Sequence, residues 1–204
     1  MKRSSKITTF IIGIITVGAI VICVRTFTHA ALGPSLQDSK ITVTSTEEPV
    51  IPSDSSAWPS SLRIPSLQVQ TEVQHVGISN KGTMAVPSNY TDVAWYREGV
   101  LPGHEGSAVF AGHYDNGFGR AGIFYKLKDL KPGDDIYVTL ADTTELHFKV
   151  AATEQLPQDT TETGEIFSTE GIPRIRLITC DGVWNSELKT YSNRYIVTAT
   201  LVNN

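Results

Sequence analysis

The strongest constraint on how this chain folds is a pair of alternating segments joined by a four-residue turn. In Asp135-Ile136-Tyr137-Val138-Thr139-Leu140 the apolar residues Ile136, Val138 and Leu140 share one face. In Glu145-Leu146-His147-Phe148-Lys149-Val150 the same is true of Leu146, Phe148 and Val150. A period of two puts alternate side chains on opposite faces of a strand. The connecting Ala141-Asp142-Thr143-Thr144 predicts a β-hairpin.

Other short apolar segments surround this hairpin. They are Leu62–Pro65, Glu72–Val76, Ser107–Ala111, Arg174–Thr179 and Tyr195–Val202, each bounded by turn residues. Seven or eight such strands in about 145 residues predict an antiparallel barrel or sandwich. Helical periodicity is weak. Ile123-Phe124-Tyr125-Lys126-Leu127 fits a turn or two of helix, ended by Lys131-Pro132-Gly133. Gln155 to Gly171 carries little apolar pattern and reads as a long loop, a kind of segment usually tied to function or mobility.

The N-terminal region has a different texture. Ile7 to Val24 is an uncharged run of 18 residues preceded by Lys2, Arg3 and Lys6. That length suits a membrane-spanning helix. The basic flank places the N-terminus in the cytoplasm and everything after Arg25 outside. A signal peptide cut near His29-Ala30-Ala31 is the alternative, although the run exceeds a usual signal-peptide core and Arg25 follows it directly. Residues 26–61 are rich in Ser, Thr and Pro and read as a flexible stalk. The predicted organisation is a membrane segment over 1–25, a stalk over 26–61 and one folded domain over 62–204. The formal net charge of −4 gives no sign of a nucleic-acid binder.

Only two cysteines are present, and Cys23 lies inside the apolar run. Cys180 therefore has no disulfide partner within its own domain, in a compartment where idle thiols are scarce. A small buried hydrophobe is the plain reading of such a cysteine. Against it stands its setting, at the end of the apolar segment Arg174–Thr179 and before Asp181-Gly182, where a scaffold hands over to a polar loop. A thiol nucleophile needs a base or a nearby cation.

Five histidines are present. His29 is on the stalk, His75 is within a strand-like segment, His104 is in the turn Pro102-Gly103-His104-Glu105-Gly106, and His147 alternates outward. His113 follows the strand-like Ser107-Ala108-Val109-Phe110-Ala111-Gly112 and so mirrors the setting of Cys180. Arg194, the only arginine after Cys180, opens the last strand. The chain between them is short enough to return antiparallel, bringing a guanidinium within reach of a developing oxyanion. Gly117-Phe118-Gly119-Arg120-Ala121-Gly122 fits the dinucleotide pattern G-x-G-x-x-G, but the βαβ unit that the pattern requires is absent, and the segment reads as a loop.

The order His, Cys, Arg on successive strand ends resembles the sortase family. Leu177-Ile178-Thr179-Cys180 is similar to the family's T-L-x-T-C signature, with Arg176 where its first Thr stands. The Ser107–His113 and Asn193–Ala199 segments resemble its histidine and arginine strands. Leu62-Arg63-Ile64-Pro65, Val93-Ala94-Trp95-Tyr96 before Pro102-Gly103, and the Phe124–Asp134 segment extend the likeness over about Leu62 to Val202. It is greatest to the class F and class E members of Gram-positive bacteria.

The resemblance implies an all-β fold, an eight-stranded barrel with one or two short helices, here preceded by an N-terminal transmembrane helix. It implies a cysteine transpeptidase that cuts an LPXTG-like motif between Thr and Gly. The acyl group is held as a thioester and passed to an amine, such as one on a peptidoglycan precursor. Cys180 is then the nucleophile, His113 the general acid and base, and Arg194 the group that steadies substrate and oxyanion. Its partners are secreted proteins with a C-terminal sorting signal. No cofactor is implied. Some relatives bind calcium at the long loop, but Glu162, Glu165 and Glu170 form no dense cluster, so no required metal is expected. No Asp-Pro-Trp lid motif precedes the barrel, which argues against a pilin polymerase.

Two rival enzyme types fit less well. L,D-transpeptidases want a Ser-x-Gly-Cys motif where this chain has Ile-Thr-Cys-Asp, and papain-like enzymes place Cys before His. The non-enzymatic alternative is a membrane-tethered β-barrel binding or adhesion module, which has no need of the three residues at three strand ends.

Overall fold

The computed structural model describes residues 55–161 and 163–203. The expected membrane segment and most of the expected stalk lie outside the described residues.

Eight strands form a closed barrel: β1 (Pro59–Ile64), β2 (Val69–Val76), β3 (Val93–Tyr96), β4 (Ser107–Gly112), β5 (Asp135–Leu140), β6 (Glu145–Pro157), β7 (Arg174–Asn185) and β8 (Thr190–Leu201). Their order around the barrel is β1-β2-β3-β4-β7-β8-β6-β5, and β1 pairs with β5 to close it. Closure leaves no sheet edge open to other chains. The hairpin expected over Asp135–Val150 forms, with Ile136 opposite Phe148 and Val138 opposite Leu146. Its inward residues Ile136, Val138, Phe148 and Val150 are buried. On the outer face of this hairpin Tyr137 stacks on His147 at 4.7 Å.

The barrel interior is a single apolar core built around Trp95, Phe110, Phe124 and Phe148, all fully buried. A second, smaller cluster lies on the outer face of β4, β7 and β8. Val109, Ile166 and Ile196 are its buried members, with Met84, Tyr96, Leu156, Phe167 and Ile178 packed around them. Alternation along β7 explains the division: Ile175 and Leu177 point into the barrel, while Ile178 joins the outer cluster.

The fold departs from the sequence reading in five places. First, the barrel begins inside the segment read as stalk. Trp58 packs edge-on against His75 and Trp95, and its carbonyl accepts from the Ala141 N–H at 2.8 Å. Second, Val93–Tyr96 is a strand that alternation does not reveal. Its first three residues are all buried, so it shows no alternation. Third, the barrel is not purely antiparallel, since β2 pairs parallel with β3 and β4 parallel with β7. Fourth, the expected short helices are 3₁₀ turns at Ser55–Ala57, Pro65–Leu67 and Leu127–Asp129. Fifth, β6 extends to Pro157, and β7 runs five residues past Cys180.

Phe148 lies between Ile136 of β5 and Leu201 of β8, with no exposed surface. Phe148→Ala is expected to lower unfolding stability by about 3–5 kcal/mol through lost burial and a residual cavity, measured by urea denaturation followed by tryptophan fluorescence.

Candidate active site

Three neighbouring strands place the three predicted residues in one row. Strands β4 and β7 run parallel, with Ala111 opposite Ile178. Parallel strands leave the sheet at the same end, so continuing this register by two residues sets His113 beside Cys180. Strand β8 returns antiparallel, and its register puts Arg194 directly across from Cys180. Adjacent strands are about 4.8 Å apart, so the three Cα positions fall on one line across the barrel wall. The alternation that sends Leu177 and Thr179 inward turns Cys180 outward, as the same period does for His113 and Arg194.

Thr179 fixes the offset between the first two. Its hydroxyl donates to the Gly112 carbonyl at 2.9 Å in a buried setting. The residue before the cysteine is thus bonded to the residue before the histidine. The chain beyond His113 forms a tight loop that folds back on it. Phe124 N–H donates to the His113 carbonyl at 3.0 Å, and Gly122 N–H to the Tyr114 carbonyl at 2.8 Å. Gly122 sits so close that a Cβ there would collide with the His113 carbonyl. The G-x-G-x-x-G segment is this loop: Gly117 and Gly119 take positive φ, and Asn116 Oδ1 accepts from the Phe118 and Arg120 N–H groups.

Cys180 lies within β7 and not at its end as the sequence suggested. The polar opening inferred there is a β-bulge between Asp181 and Trp184. Gly182 occupies it at φ 87°, where a Cβ would strike the Ser192 hydroxyl. That hydroxyl instead accepts the Val183 N–H at 3.0 Å.

Two clefts flank the row. One of about 360 Å³ contains His113, Cys180, Asp115, Trp184 and Tyr191. The other, of about 580 Å³, has Arg194 on its wall and an apolar floor from the outer cluster, including Met84, Tyr96, Ile166, Phe167, Ile178 and Ile196. Arg194 therefore faces the larger cleft, while His113 and Cys180 share the smaller. Its guanidinium is folded onto the β7–β8 hairpin, with Nη1 donating to the Tyr191 and Asn193 carbonyls and Nη2 to Thr190 Oγ1.

Burial pushes the Cys180 thiol above its ordinary pKa. The Arg194 charge pulls it down and the Asp115 carboxylate pushes it up, both less strongly. The resting cysteine is accordingly a protonated thiol near neutral pH. The Nε2 of His113 lies 2.9 Å from the Pro87 carbonyl oxygen. A carbonyl only accepts, so Nε2 carries the proton and Nδ1 is left bare in the neutral ring.

Sequence reasoning missed several residues around the row. The Tyr191 hydroxyl donates to Asp115 Oδ2 across the smaller cleft, and this bond, with burial, holds the phenol up at about 12. Tyr114 packs against both Tyr125 and Tyr191, and Trp184 packs against Tyr191. These aromatic residues come from the β4–β5 connection and from the ends of β7 and β8, so they give no periodic signal. Ile166 was also missed: it turns the supposedly unpatterned loop back onto the barrel and is buried there. Arg176 ties the same loop down through Nη2 to the Glu165 carbonyl, while its Nη1 donates to Glu154 and Thr198.

The other histidines are placed elsewhere. His75 meets the Pro59 carbonyl at 2.7 Å, His147 meets Asp135, and His104 is exposed. Among the described residues no group of three His, Cys, Asp or Glu side chains is arranged to hold a metal ion.

A family model described as Sortase domain matches residues 62–202. The fold is similar to a lid mutant of sortase A from Corynebacterium diphtheriae, at 23% identity over 72% of this chain and 70% of that one, with a TM-score of 0.55. It is similar to Listeria monocytogenes sortase A at 24% identity, covering 72% of this chain and 88% of that one, with a TM-score of 0.54. Sortase C-1 from Actinomyces oris shares 25% identity over 71% of this chain and 73% of that one, with a TM-score of 0.52. No curated protein matches the sequence.

The charges around Cys180 predict its titration. The pH midpoint for alkylation by iodoacetamide should lie above that of a free cysteine. Arg194→Met should raise it further, and Asp115→Asn should lower it. Mass-spectrometric alkylation rates across pH test both directions, and an unmoved midpoint in both variants would refute the assignment.

Proposed function

This chain belongs to the sortase family, and on that basis we propose that it is a cysteine transpeptidase acting on an LPXTG-like sorting motif. The observation that carries this reading is the row His113–Cys180–Arg194 on β4, β7 and β8, with a cleft on either side. In this reading the larger cleft takes the sorting peptide. Its apolar floor suits the Leu and Pro side chains, and Arg194 stands where peptide carbonyls pass. The smaller cleft admits the amine acceptor beside His113.

The chemistry proceeds from the protonation states at rest. Bare Nδ1 of His113 takes the Sγ proton as Cys180 attacks the Thr carbonyl carbon. The carbonyl oxygen becomes an oxyanion, and the Arg194 guanidinium is the cation available to steady it. Collapse of this intermediate breaks the Thr–Gly C–N bond, and the imidazolium gives its proton to the leaving glycine nitrogen. The acyl group stays on Sγ as a thioester. The incoming amine then attacks that carbonyl, His113 takes its proton, the C–S bond breaks, and the proton returns to Sγ. A single histidine serves both halves because they mirror each other.

The finer reading places the chain among class F/E-like sortases. Residues 7–24 hold it in the membrane with the N-terminus cytoplasmic and the barrel outside. Secreted proteins with a C-terminal LPXTG-like signal are its substrates, and a peptidoglycan-precursor amine is its acceptor.

Incubating the full-length protein with a labelled Leu-Pro-x-Thr-Gly peptide and hydroxylamine or triglycine tests the reaction. The expected result is an acyl adduct on Cys180 by mass spectrometry and transfer of the label to the amine. Both should vanish in Cys180→Ala and His113→Ala and persist in His104→Ala. Absence of an adduct across a library of sorting motifs would sink the proposal.

A further inference from the structure

His113 is oriented by a peptide group that is itself held from behind. The Pro87 carbonyl accepts from Nε2 of His113 at 2.9 Å. The N–H of the same peptide unit belongs to Ser88, and it donates to Gln74 Oε1 at 3.0 Å. The Ser88 hydroxyl donates to the same oxygen at 3.1 Å. On its other side Gln74 Nε2 donates to Asp92 Oδ2 at 2.9 Å. The orientation of this amide is unambiguous, because a backbone N–H only donates and a carboxylate only accepts.

Asp92 is in turn anchored within its own turn. Asn89 Nδ2 donates to Asp92 Oδ2 at 2.7 Å. Asn89 Oδ1 accepts from the Thr91 and Asp92 N–H groups at 3.0 and 2.8 Å. A continuous path of hydrogen bonds thus runs from the Asp92 carboxylate through Gln74 and the Pro87–Ser88 peptide to the imidazole.

We propose that Gln74, held by Asp92, is a positioning residue for His113: through the Pro87–Ser88 peptide it fixes the Nε2–H tautomer and leaves Nδ1 as the free base of the ring. A peptide whose N–H is already bonded is a stronger acceptor at its carbonyl, because bonds in a chain polarise one another. The Pro87 oxygen therefore does for this imidazole what a carboxylate does in a Ser-His-Asp triad, orienting the ring and steadying its cation. The full negative charge is set one amide and one peptide away. Gln74 sits on β2, so the orienting group rests on a barrel strand and not on the loop alone. The catalytic consequence rests on the acyl-transfer reading above, whereas the tautomer does not.

The test is a nitrogen spectrum of the full-length protein labelled with ¹⁵N-histidine at about pH 8.5, where histidine is ordinarily neutral. His113→Gln assigns the signal. The wild type should show a protonated Nε2 and a bare Nδ1. Gln74→Ala should move both shifts toward the exchange average of free histidine. It should also lower kcat for transfer to hydroxylamine about tenfold, within the usual contribution of an acid–base group, and leave KM for the peptide unchanged.

The exchange variant Gln74→Glu with Asp92→Asn swaps amide and carboxylate and keeps an acceptor for Ser88. It should restore both the shifts and kcat. A mixed tautomer in the wild type, or shifts and kcat that Gln74→Ala leaves alone, would overturn the proposal. So would a loss accompanied by a lowered Tm that the exchange variant cannot rescue, which would make Gln74 merely structural. If the wild type transfers no acyl group to any amine, the reaction reading fails while the nitrogen shifts still decide the relay.

Discussion

The Thr179 hydroxyl and the Gly112 carbonyl meet at 2.9 Å, shielded from water. The site depends on this contact because it joins two strands at the positions just before His113 and Cys180. An unpaired hydroxyl or carbonyl in that place costs about 1–3 kcal/mol, so the two strands are held in one register at this point. The parallel pairing of β4 with β7 supplies the common direction and the hydrogen bond supplies the offset. Antiparallel β8 then completes the row by placing Arg194 across from Cys180. The geometry needs no loop to find its place, since each of the three residues lies on a strand or next to the end of one.

The electrostatics follow from that placement. Cys180 lies on the outer face and is partly covered by its neighbours, so burial outweighs the attraction of Arg194 and keeps the thiol protonated. The Pro87 carbonyl accepts from Nε2 of His113, which leaves Nδ1 as the basic nitrogen of a neutral ring. Arg194 is directed by the hairpin carbonyls of Tyr191 and Asn193, so its charge is fixed in position before any substrate arrives.

What could be read from the sequence follows from periodicity. Strands β5 and β6 were legible because one face is apolar and the other polar. Strand β3 was not, because Val93, Ala94 and Trp95 are all buried and erase the alternation. The positions of His113 and Cys180 after apolar runs, and of Arg194 at the head of one, were visible, and the family resemblance grouped them. Their row was not visible, because it depends on the parallel β4–β7 pairing, and parallel neighbours separated by 67 residues leave no local trace. Gln74, Asp115 and Tyr191 were passed over for the same reason: each acts through a partner distant in sequence.

Arg176 shows how the two apolar clusters divide the work of the barrel. The interior cluster, from Trp95 to Phe148, holds the strands together and has no access to the clefts. The outer cluster forms the floor of the larger cleft, and Ile166 from the 158–173 loop is one of its buried members. Arg176 sits on the outward face of β7, 9% exposed, and its guanidinium bonds Glu154 of β6, Thr198 of β8 and the Glu165 carbonyl of that loop. Burial lowers its pKa, yet a guanidinium stays charged in any case, so the ion pair with Glu154 and the loop carbonyl must offset the desolvation. A threonine at this position reaches no farther than its immediate neighbours. The arginine spans from strand to loop, so it changes how the cleft wall is held while leaving the row His113–Cys180–Arg194, which crosses the same strand four positions on, as it is.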